Sequence, residues 1–167
     1  GAAVIIDVTN GEIVALTSFP EYDSQVITDG ADNEKIASWL ISKDVPLLNR
    51  AVSGLYVPGS IVKPYIALGA LSEGVIDPEH QIMGTASISI PNPYNPKLST
   101  VFKDWQAQGL VDMRKAIAMS SDVYFYEIGG GYKDQKGLGI LNIKKYTQMF
   151  GLDSKTNIDL MGEVSGV

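Results

Sequence analysis

The residues best suited to carry out chemistry are Ser60 and Lys63, which follow a Pro-Gly dipeptide at 58–59. If Ser60 opens a helix, the three-residue spacing places its hydroxyl and the lysine amine on one face, within reach of each other. A serine becomes a good nucleophile when a neighbouring base removes its proton. A lysine acts as that base when desolvation or nearby positive charge favours its neutral amine. The pair therefore predicts an activated serine nucleophile.

The residues that flank this pair distinguish it from a chance match. A bare Ser-x-x-Lys pattern is expected about once in a chain of this length, most often as an N-cap serine followed by a solvated lysine. Here a Pro-Gly turn aims the hydroxyl at the mouth of a helix, which favours a nucleophile. We also expect an apolar collar around the lysine amine, formed by Ile61, Val62, Pro64, Tyr65 and Ile66.

A second polar cluster, Ser120-Ser121-Asp122, lies between apolar stretches at 116–119 and 123–128. Polar side chains packed between two apolar segments must find hydrogen-bond partners or face a cavity. We therefore expect Ser120 and Asp122 to line a cleft.

Together these motifs resemble the transpeptidase domain of class B penicillin-binding proteins, enzymes that cross-link peptidoglycan. The aspartate at position 122, where many relatives carry asparagine, resembles the penicillin-binding protein 2-like, elongation-type branch. Other segments resemble the family in the same order along the chain, including the opening hairpin and the approach to the last strands: residues 1–7, 10–16, 19–23, 47–51, 150–152 and 156–163.

The resemblance implies an α+β fold of the β-lactamase/transpeptidase type, in which a helical subdomain carries the site and an antiparallel sheet backs it. It implies that Ser60 is the acylated nucleophile, Lys63 its general base and Ser120 a proton relay to the leaving group. Asp122 would contact the donor peptide. The implied reaction is acyl transfer from D-Ala-D-Ala stem peptides to the amine of a neighbouring stem peptide, and it needs no cofactor and no metal.

The third motif of the family, Lys-[Ser/Thr]-Gly on a strand across the cleft, does not occur in the sequence. In the family, that strand supplies one of two oxyanion-hole N–H donors, and one such donor is worth about 10²- to 10³-fold in rate. We therefore expect residues 1–167 to form a partial transpeptidase domain that lacks the C-terminal strands.

The resemblance also implies partners and a location. The partners are peptidoglycan stem peptides, β-lactams that acylate the same serine, and other cell-wall synthesis proteins. The full-length parent would lie in the bacterial cell envelope, on the periplasmic or extracytoplasmic face of the cytoplasmic membrane. Membrane contact would come only from an N-terminal anchor outside this stretch, which has no run of about 18 apolar residues and no signal-peptide pattern.

Two other functions remain open at this point. The same serine chemistry with water as acceptor would give a D,D-carboxypeptidase or a serine β-lactamase, although the segments at 49–51 and 156–160 favour the transpeptidase. The second alternative is a non-catalytic, partner-binding module of the cell-wall synthesis machinery. The absent third motif is the observation that favours it.

Composition excludes several other classes. The chain has 167 residues, 45% of them hydrophobic and 19% charged, as expected for one globular domain or part of one. A net charge of -6 argues against nucleic-acid binding. The absence of cysteine excludes disulfides and thiol catalysis, and the single histidine, His80, falls in a predicted surface turn.

The elements that must position these residues can be read from hydrophobic periodicity and turn signals. The Asn-Gly pair at 10–11 predicts a hairpin between two strands whose faces are both apolar, which leaves a sheet edge open to pairing. Trp105 is expected to be a packing residue, at a position that could also border a cleft. Residues 84–101 are expected to form a long loop that follows a short strand at 87–90 and borders a substrate groove. Helices are predicted at 32–41, 60–73, 111–119, 123–128 and 138–150.

Overall fold

The computed structural model describes residues 1–166, apart from the side chain of Pro96, and it divides into two compact units. We call residues 1–56 with 154–166 the sheet unit, and Val57–Asp153 the helical unit.

The sheet unit begins with the antiparallel hairpin that the Asn-Gly pair predicts. Strand β1 (Ala2–Ile6) pairs with β2 (Ile13–Ser18), and Gly11 adopts a left-handed φ of 82° in the connection. Many apolar side chains of both strands are exposed, including Ile5 at 59% and Val14 at 69%. The hairpin is thus confirmed, and its pairing with a further strand stays a prediction.

Three helices follow in the sheet unit: α1 (Ser24–Asp29), α2 (Asn33–Ile41) and α3 (Arg50–Ser53). Each begins with an Asx side chain, from Asp23, Asp32 or Asn49, that accepts a hydrogen bond from a backbone N–H of the first turn. Such caps satisfy donors that the helix itself leaves unpaired.

The helical unit opens with a 3₁₀ turn at Gly59–Val62, which leads directly into α4. The remaining helices and strands of this unit are α4 (Lys63–Ser72), β3 (Ile82–Gly84), β4 (Ser87–Asn92), β5 (Asn95–Lys103), β6 (Gly109–Val111), α5 (Met113–Ala118), α6 (Asp122–Gly130) and α7 (Ile140–Gln148). β3 pairs with β6 and β4 with β5, in both cases antiparallel.

The core of the helical unit lies between α4, α5 and α6. It consists of buried apolar side chains contributed by helices, by the short β3–β6 sheet and by the segment between α4 and β3: Ala67, Ala70, Ile76, Ile82, Val111, Met113, Ala116, Tyr124, Phe125 and Ile128. Small residues let α4 approach its neighbours closely, because a Cβ at Gly69 would lie 2.8 Å from atoms of Leu138 and Tyr146. These contacts hold α4 in a fixed position against α6 and α7.

The prediction of a long loop at 84–101 was wrong. This segment contains most of a hairpin, in which β4 and β5 pair from Ser87 with Lys103 to Asn92 with Asn95. The prolines of this segment indicated a loop, but a proline is tolerated in a strand that has a free edge. Asn92 closes the turn by accepting hydrogen bonds from the N–H groups of Tyr94 and Asn95.

Helix boundaries also differ from the sequence prediction in ways that have local causes. Predicted helix 60–73 begins as a 3₁₀ turn, and Ile61, expected to point inward, is 74% exposed. Helix α5 starts at Met113 rather than at 111, because Val111 belongs to β6 and Asp112 caps the helix by accepting from the Lys115 N–H. Helix α6 extends through Gly129 and Gly130, and Gly131 is its C-cap.

A charged cluster joins α4 to α7 on the surface of the helical unit. Glu73 Oε1 accepts hydrogen bonds from Lys145 Nζ at 2.6 Å and from the Tyr146 hydroxyl at 2.9 Å. The Lys145 hydrogen bond, followed by that of Tyr146 and the charge of Lys145, lowers the pKa of Glu73 from 4.5. The stability that this carboxylate adds is therefore present above pH 4.5 and is lost as the pH falls through its lowered pKa.

We expect Glu73→Gln to lower the melting temperature by about 1–3 °C at pH 7, the range for an exposed ion pair. The difference from wild type should stay constant above pH 4.5 and shrink as the pH falls below 4.5 through the lowered pKa of Glu73. Thermal melts followed by circular dichroism measure both effects, with Glu79→Gln in the same unit as control. A difference that stays constant with pH would contradict the charge-based explanation.

Candidate active site

The 3₁₀ turn presents Ser60 and Lys63 on the same side of the chain. Gly59 adopts a left-handed φ of 60°, and the Lys63 N–H donates to the Ser60 carbonyl, closing the turn. In 3₁₀ geometry, side chains three residues apart eclipse one another. Ser60 is exposed, whereas Lys63 is only 7% exposed. The turn therefore places an accessible hydroxyl above a buried amine.

Three oxygen atoms surround the amine of Lys63. Nζ lies 2.6 Å from Asp122 Oδ1, 2.7 Å from the Ser120 carbonyl oxygen and 3.0 Å from Ser120 Oγ. A lysine ammonium has three N–H donors and no acceptor, so these contacts use its full hydrogen-bonding capacity. A buried charge is tolerated when it is paired and hydrogen-bonded in this way.

Ser120 connects the two residues of the Ser-x-x-Lys motif. Its Oγ lies 2.9 Å from Ser60 Oγ and 3.0 Å from Lys63 Nζ. A hydroxyl both donates and accepts, so Ser120 can take a proton from one neighbour while giving one to the other. The structure thus brings Ser60, Lys63, Ser120 and Asp122 into one cluster, with Ser120 bridging the serine and the lysine.

Two of the five residues expected in the apolar collar, Ile61 and Pro64, do not contribute to it. Ile61 points into solvent at 74% exposure, and Pro64 is also exposed. The apolar neighbour that the structure does provide is Phe125 on α6, whose ring centroid lies 5.7 Å from Lys63 Nζ. The prediction failed at these two positions because residues next to a helical lysine in sequence point to other faces of the helix.

Ser120 adopts a backbone conformation that is unusual for a serine. It follows α5 with a left-handed φ of 53°, and its N–H donates to the Ile117 carbonyl while that of Ser121 donates to the Ala116 carbonyl. These two bonds form a Schellman helix end, in which glycine normally occupies the left-handed position. The left-handed conformation is unfavourable for serine, and in it the carbonyl and the hydroxyl of Ser120 both face Lys63.

Residues of the β5–β6 connection contact the Ser120 turn, and the sequence argument missed one of them. Asp104 Oδ2 accepts hydrogen bonds from Ser121 Oγ and the Val123 N–H at 2.9 and 3.0 Å. The indole N–H of Trp105, a residue expected near a cleft, donates to the Met119 carbonyl at 3.1 Å. Asp104 lies 17 residues from Ser121, so no local spacing could reveal the contact.

Asp104 and Asp122 also affect the pKa of a tyrosine on α6. Burial, followed by the charges of Asp122 and Asp104, raises the pKa of Tyr126. The Tyr126 ring packs against Phe102 of β5, with centroids 5.5 Å apart. In the part of the chain that the structure describes, no group of three or more His, Cys, Asp or Glu side chains could hold a metal ion.

A family model for the penicillin binding protein transpeptidase domain matches residues 1–167. The chain belongs to the penicillin-binding protein transpeptidase family. Its fold is the α+β β-lactamase/transpeptidase fold that the sequence predicted. The assembled serine and lysine cluster is therefore the candidate active site of a penicillin-binding protein domain.

Curated relatives of this penicillin-binding protein domain include peptidoglycan D,D-transpeptidases called MrdA. The protein from Acinetobacter baumannii is 37% identical over 170 residues, covering 100% of this chain and 24% of the relative. That from Escherichia coli strain K12 is 31% identical over 167 residues, covering 99% of this chain and 25% of the relative. The chain thus spans about a quarter of the length of these relatives.

Solved structures give the same assignment. PBP2 from Helicobacter pylori, in complex with MreC, superposes with a TM-score of 0.82 at 31% identity, covering 100% of this chain and 29% of that one. PBP2 from Pseudomonas aeruginosa, in complex with WCK 5153, superposes with a TM-score of 0.79 at 32% identity, covering 100% of this chain and 36% of that one.

The left-handed backbone of Ser120 predicts an inverted stability order for small substitutions in this penicillin-binding protein domain. Both Ser120→Gly and Ser120→Ala remove the hydroxyl, but glycine adopts positive φ without a steric cost. We expect the glycine variant to be more stable than the alanine variant by about 1 kcal/mol. Chemical denaturation measures the difference in the free energy of unfolding.

The matched control is the same pair of substitutions at Lys144, an exposed residue inside α7. There alanine should be the more stable variant, by about 0.5–1 kcal/mol. An alanine preference at position 120 as well would mean that the left-handed conformation of Ser120 is wrong.

Proposed function

We propose that this chain carries the nucleophile and base of a peptidoglycan D,D-transpeptidase, within residues 1–167 that form part of its transpeptidase domain. The observation that supports this function best is the continuous chain of polar atoms from Ser60 Oγ through Ser120 Oγ to Lys63 Nζ. The relatives named D,D-transpeptidases agree with it. A non-catalytic module would not require an exposed serine joined to a buried lysine.

In the proposed first step, Ser60 Oγ attacks the carbonyl carbon of the penultimate D-alanine of a stem peptide. A C–O bond forms, and the C–N bond to the terminal D-alanine breaks. The Ser60 proton moves to Ser120, which passes its own proton to Lys63. The proton then returns to the departing amine nitrogen, so that D-alanine leaves as a neutral amine and an acyl-enzyme remains.

The hydrogen-bond geometry defines which form of Lys63 can act as the base. In the ammonium form, all three N–H groups are engaged by Ser120 and Asp122. In the neutral form, two N–H groups still serve the Ser120 carbonyl and the Asp122 carboxylate, and the lone pair faces Ser120 Oγ. The two strongest contacts are kept in both forms, so the amine can exchange a proton without moving.

In the proposed second step, the amine of a neighbouring stem peptide attacks the acyl-enzyme carbonyl. A C–N bond forms and the bond to Ser60 Oγ breaks, while the proton lost by the amine returns to Ser60 along the same route. The Asp122 side chain is 34% exposed, so a donor peptide can reach its carboxylate. β-Lactams would acylate Ser60 by the same first step, with opening of their ring.

The proposed setting is the bacterial cell envelope, with the site on the periplasmic or extracytoplasmic face of the cytoplasmic membrane. Other cell-wall synthesis proteins are proposed partners, by analogy with the Helicobacter pylori relative that was solved with MreC. None of the helices among residues 1–166 combines the length and the apolar character needed to cross a membrane.

We expect the full-length gene product, incubated with a penicillin, to gain the mass of one penicillin molecule. Acylation requires the Ser60 hydroxyl, so Ser60→Ala should show no adduct, whereas Ser72→Ala, at an exposed serine of the same unit, should acylate like wild type. Intact-mass spectrometry measures the fraction modified. An unmodified wild-type protein, or an adduct that persists in Ser60→Ala, would refute the assignment.

The acceptor is tested with a stem peptide that ends in D-Ala-D-Ala, supplied with a second peptide that bears a free amine. A transpeptidase should form a cross-linked peptide in excess over the hydrolysed donor, whereas a carboxypeptidase would form the hydrolysed donor alone. Mass spectrometry of the released peptides measures the ratio of the two products. A product consisting only of hydrolysed donor would overturn the transpeptidase assignment while leaving Ser60 as nucleophile.

A further inference from the structure

Asp104 lies at the end of β5 and carries four hydrogen bonds on one carboxylate. Oδ2 accepts from Ser121 Oγ and the Val123 N–H, at 2.9 and 3.0 Å. Oδ1 accepts from the Trp105 N–H and from Gln108 Nε2, at 2.8 and 3.2 Å. A half-buried carboxylate with this many donors is held in one orientation.

The two donors on Oδ2 belong to the first turn of α6. Ser121 is the N-cap of this nine-residue helix and is fully buried, and Val123 supplies one of the N–H groups that a helix leaves unpaired. A negative charge is favoured at this end of a helix. Asp104 therefore fixes the residues that immediately follow Ser120, while the Trp105 indole fixes the carbonyl of Met119, which immediately precedes it.

We propose that Asp104 is a positioning residue of the active site: its carboxylate holds the turn at 119–123 so that Ser120 keeps its left-handed backbone. The inference rests on the proposed function. Asp104 touches none of the reacting groups that we assign, and it acts through Ser121 and Val123.

The turn needs these hydrogen bonds to Asp104 because the backbone of Ser120 is strained. A serine prefers a negative φ to the φ of 53° seen here, and a rotation to negative φ would move both its carbonyl and its hydroxyl relative to Lys63. The carbonyl and Oγ together provide two of the three acceptors of Nζ, so both the proton relay and the amine position would change. A misplacement of about 1 Å in a catalytic group can cost about 10²-fold in rate.

Asp104→Asn tests the proposal, because an amide of the same shape accepts on one side only. In either orientation its NH₂ group faces two donors that lose their acceptor. We expect the rate constant for Ser60 acylation by a penicillin to fall about 10- to 100-fold, while the dissociation constant of the preceding non-covalent complex changes less than about threefold. Stopped-flow acylation of the full-length gene product over a range of penicillin concentrations separates the two constants.

Glu73→Gln is the matched control. It also removes a carboxylate that accepts two hydrogen bonds in the helical unit, but those bonds join α4 to α7 and do not touch the Ser120 turn. We expect it to acylate at the wild-type rate. An Asp104→Asn protein that acylates as fast as Glu73→Gln would overturn the proposal.

A double-mutant cycle with Ser120→Ala separates positioning from general destabilisation. If Asp104 acts through Ser120, adding Asp104→Asn to Ser120→Ala should slow acylation by a smaller factor than Asp104→Asn alone, because the hydroxyl relay is already lost and only the carbonyl contact to Lys63 remains. Full additivity of the two effects would refute the proposal.

If Asp104→Asn does not fold, Ser121→Ala provides the same test with the carboxylate intact. It removes one donor to Oδ2 and also the N-cap acceptor of the Tyr124 N–H in the same turn, so acylation should slow at least about threefold, and a wild-type rate would overturn the proposal. In all of these experiments, a wild-type protein that is not acylated refutes the proposed function itself. Acylation of wild type at an unchanged rate in the variants refutes only the role of Asp104.

Discussion

The site is organised around the need of one buried lysine for hydrogen-bond acceptors. Removing an ammonium group from water costs several kcal/mol unless other groups replace the lost solvation. Lys63 begins α4 with its side chain almost fully buried, and the turn between α5 and α6 supplies a carboxylate, a carbonyl and a hydroxyl to it. The path of the chain from 119 to 123 follows from this requirement.

Two local conflicts therefore occur at the same place: a charged side chain in an apolar core, and a serine where glycine is usual. Conflicts between local preference and global fold are expected where a structure serves a function. The surrounding structure sustains them. Val123, Tyr124 and Ile128 of α6 are fully buried, and close packing at Gly69 keeps α4 in place. Rigid packing on both sides leaves the strained turn little room to relax.

The sequence was informative where function depends on short spacings. Ser60 and Lys63 are three positions apart, which turn geometry places on one side of the chain, and Ser120 and Asp122 are two positions apart between apolar segments. It failed where the deciding contact is distant in sequence. The partners of the Lys63 amine come from 57 and 59 residues away, and Asp104 reaches Ser121 across 17 residues. The β4–β5 hairpin was missed because its prolines indicated a loop. Proline disrupts a strand in the middle of a sheet, but it is tolerated in a strand with a free edge.

Exposure decreases along the polar chain of the site, from solvent-facing Ser60 through half-buried Ser120 to buried Lys63. In the proposed reaction, this gradient isolates the transferred proton from bulk buffer. Because the Lys63 side chain is only 9% exposed, a proton held on the amine leaves most easily by the route along which it arrived. The proton taken from Ser60 is thus retained within the site until the leaving group accepts it.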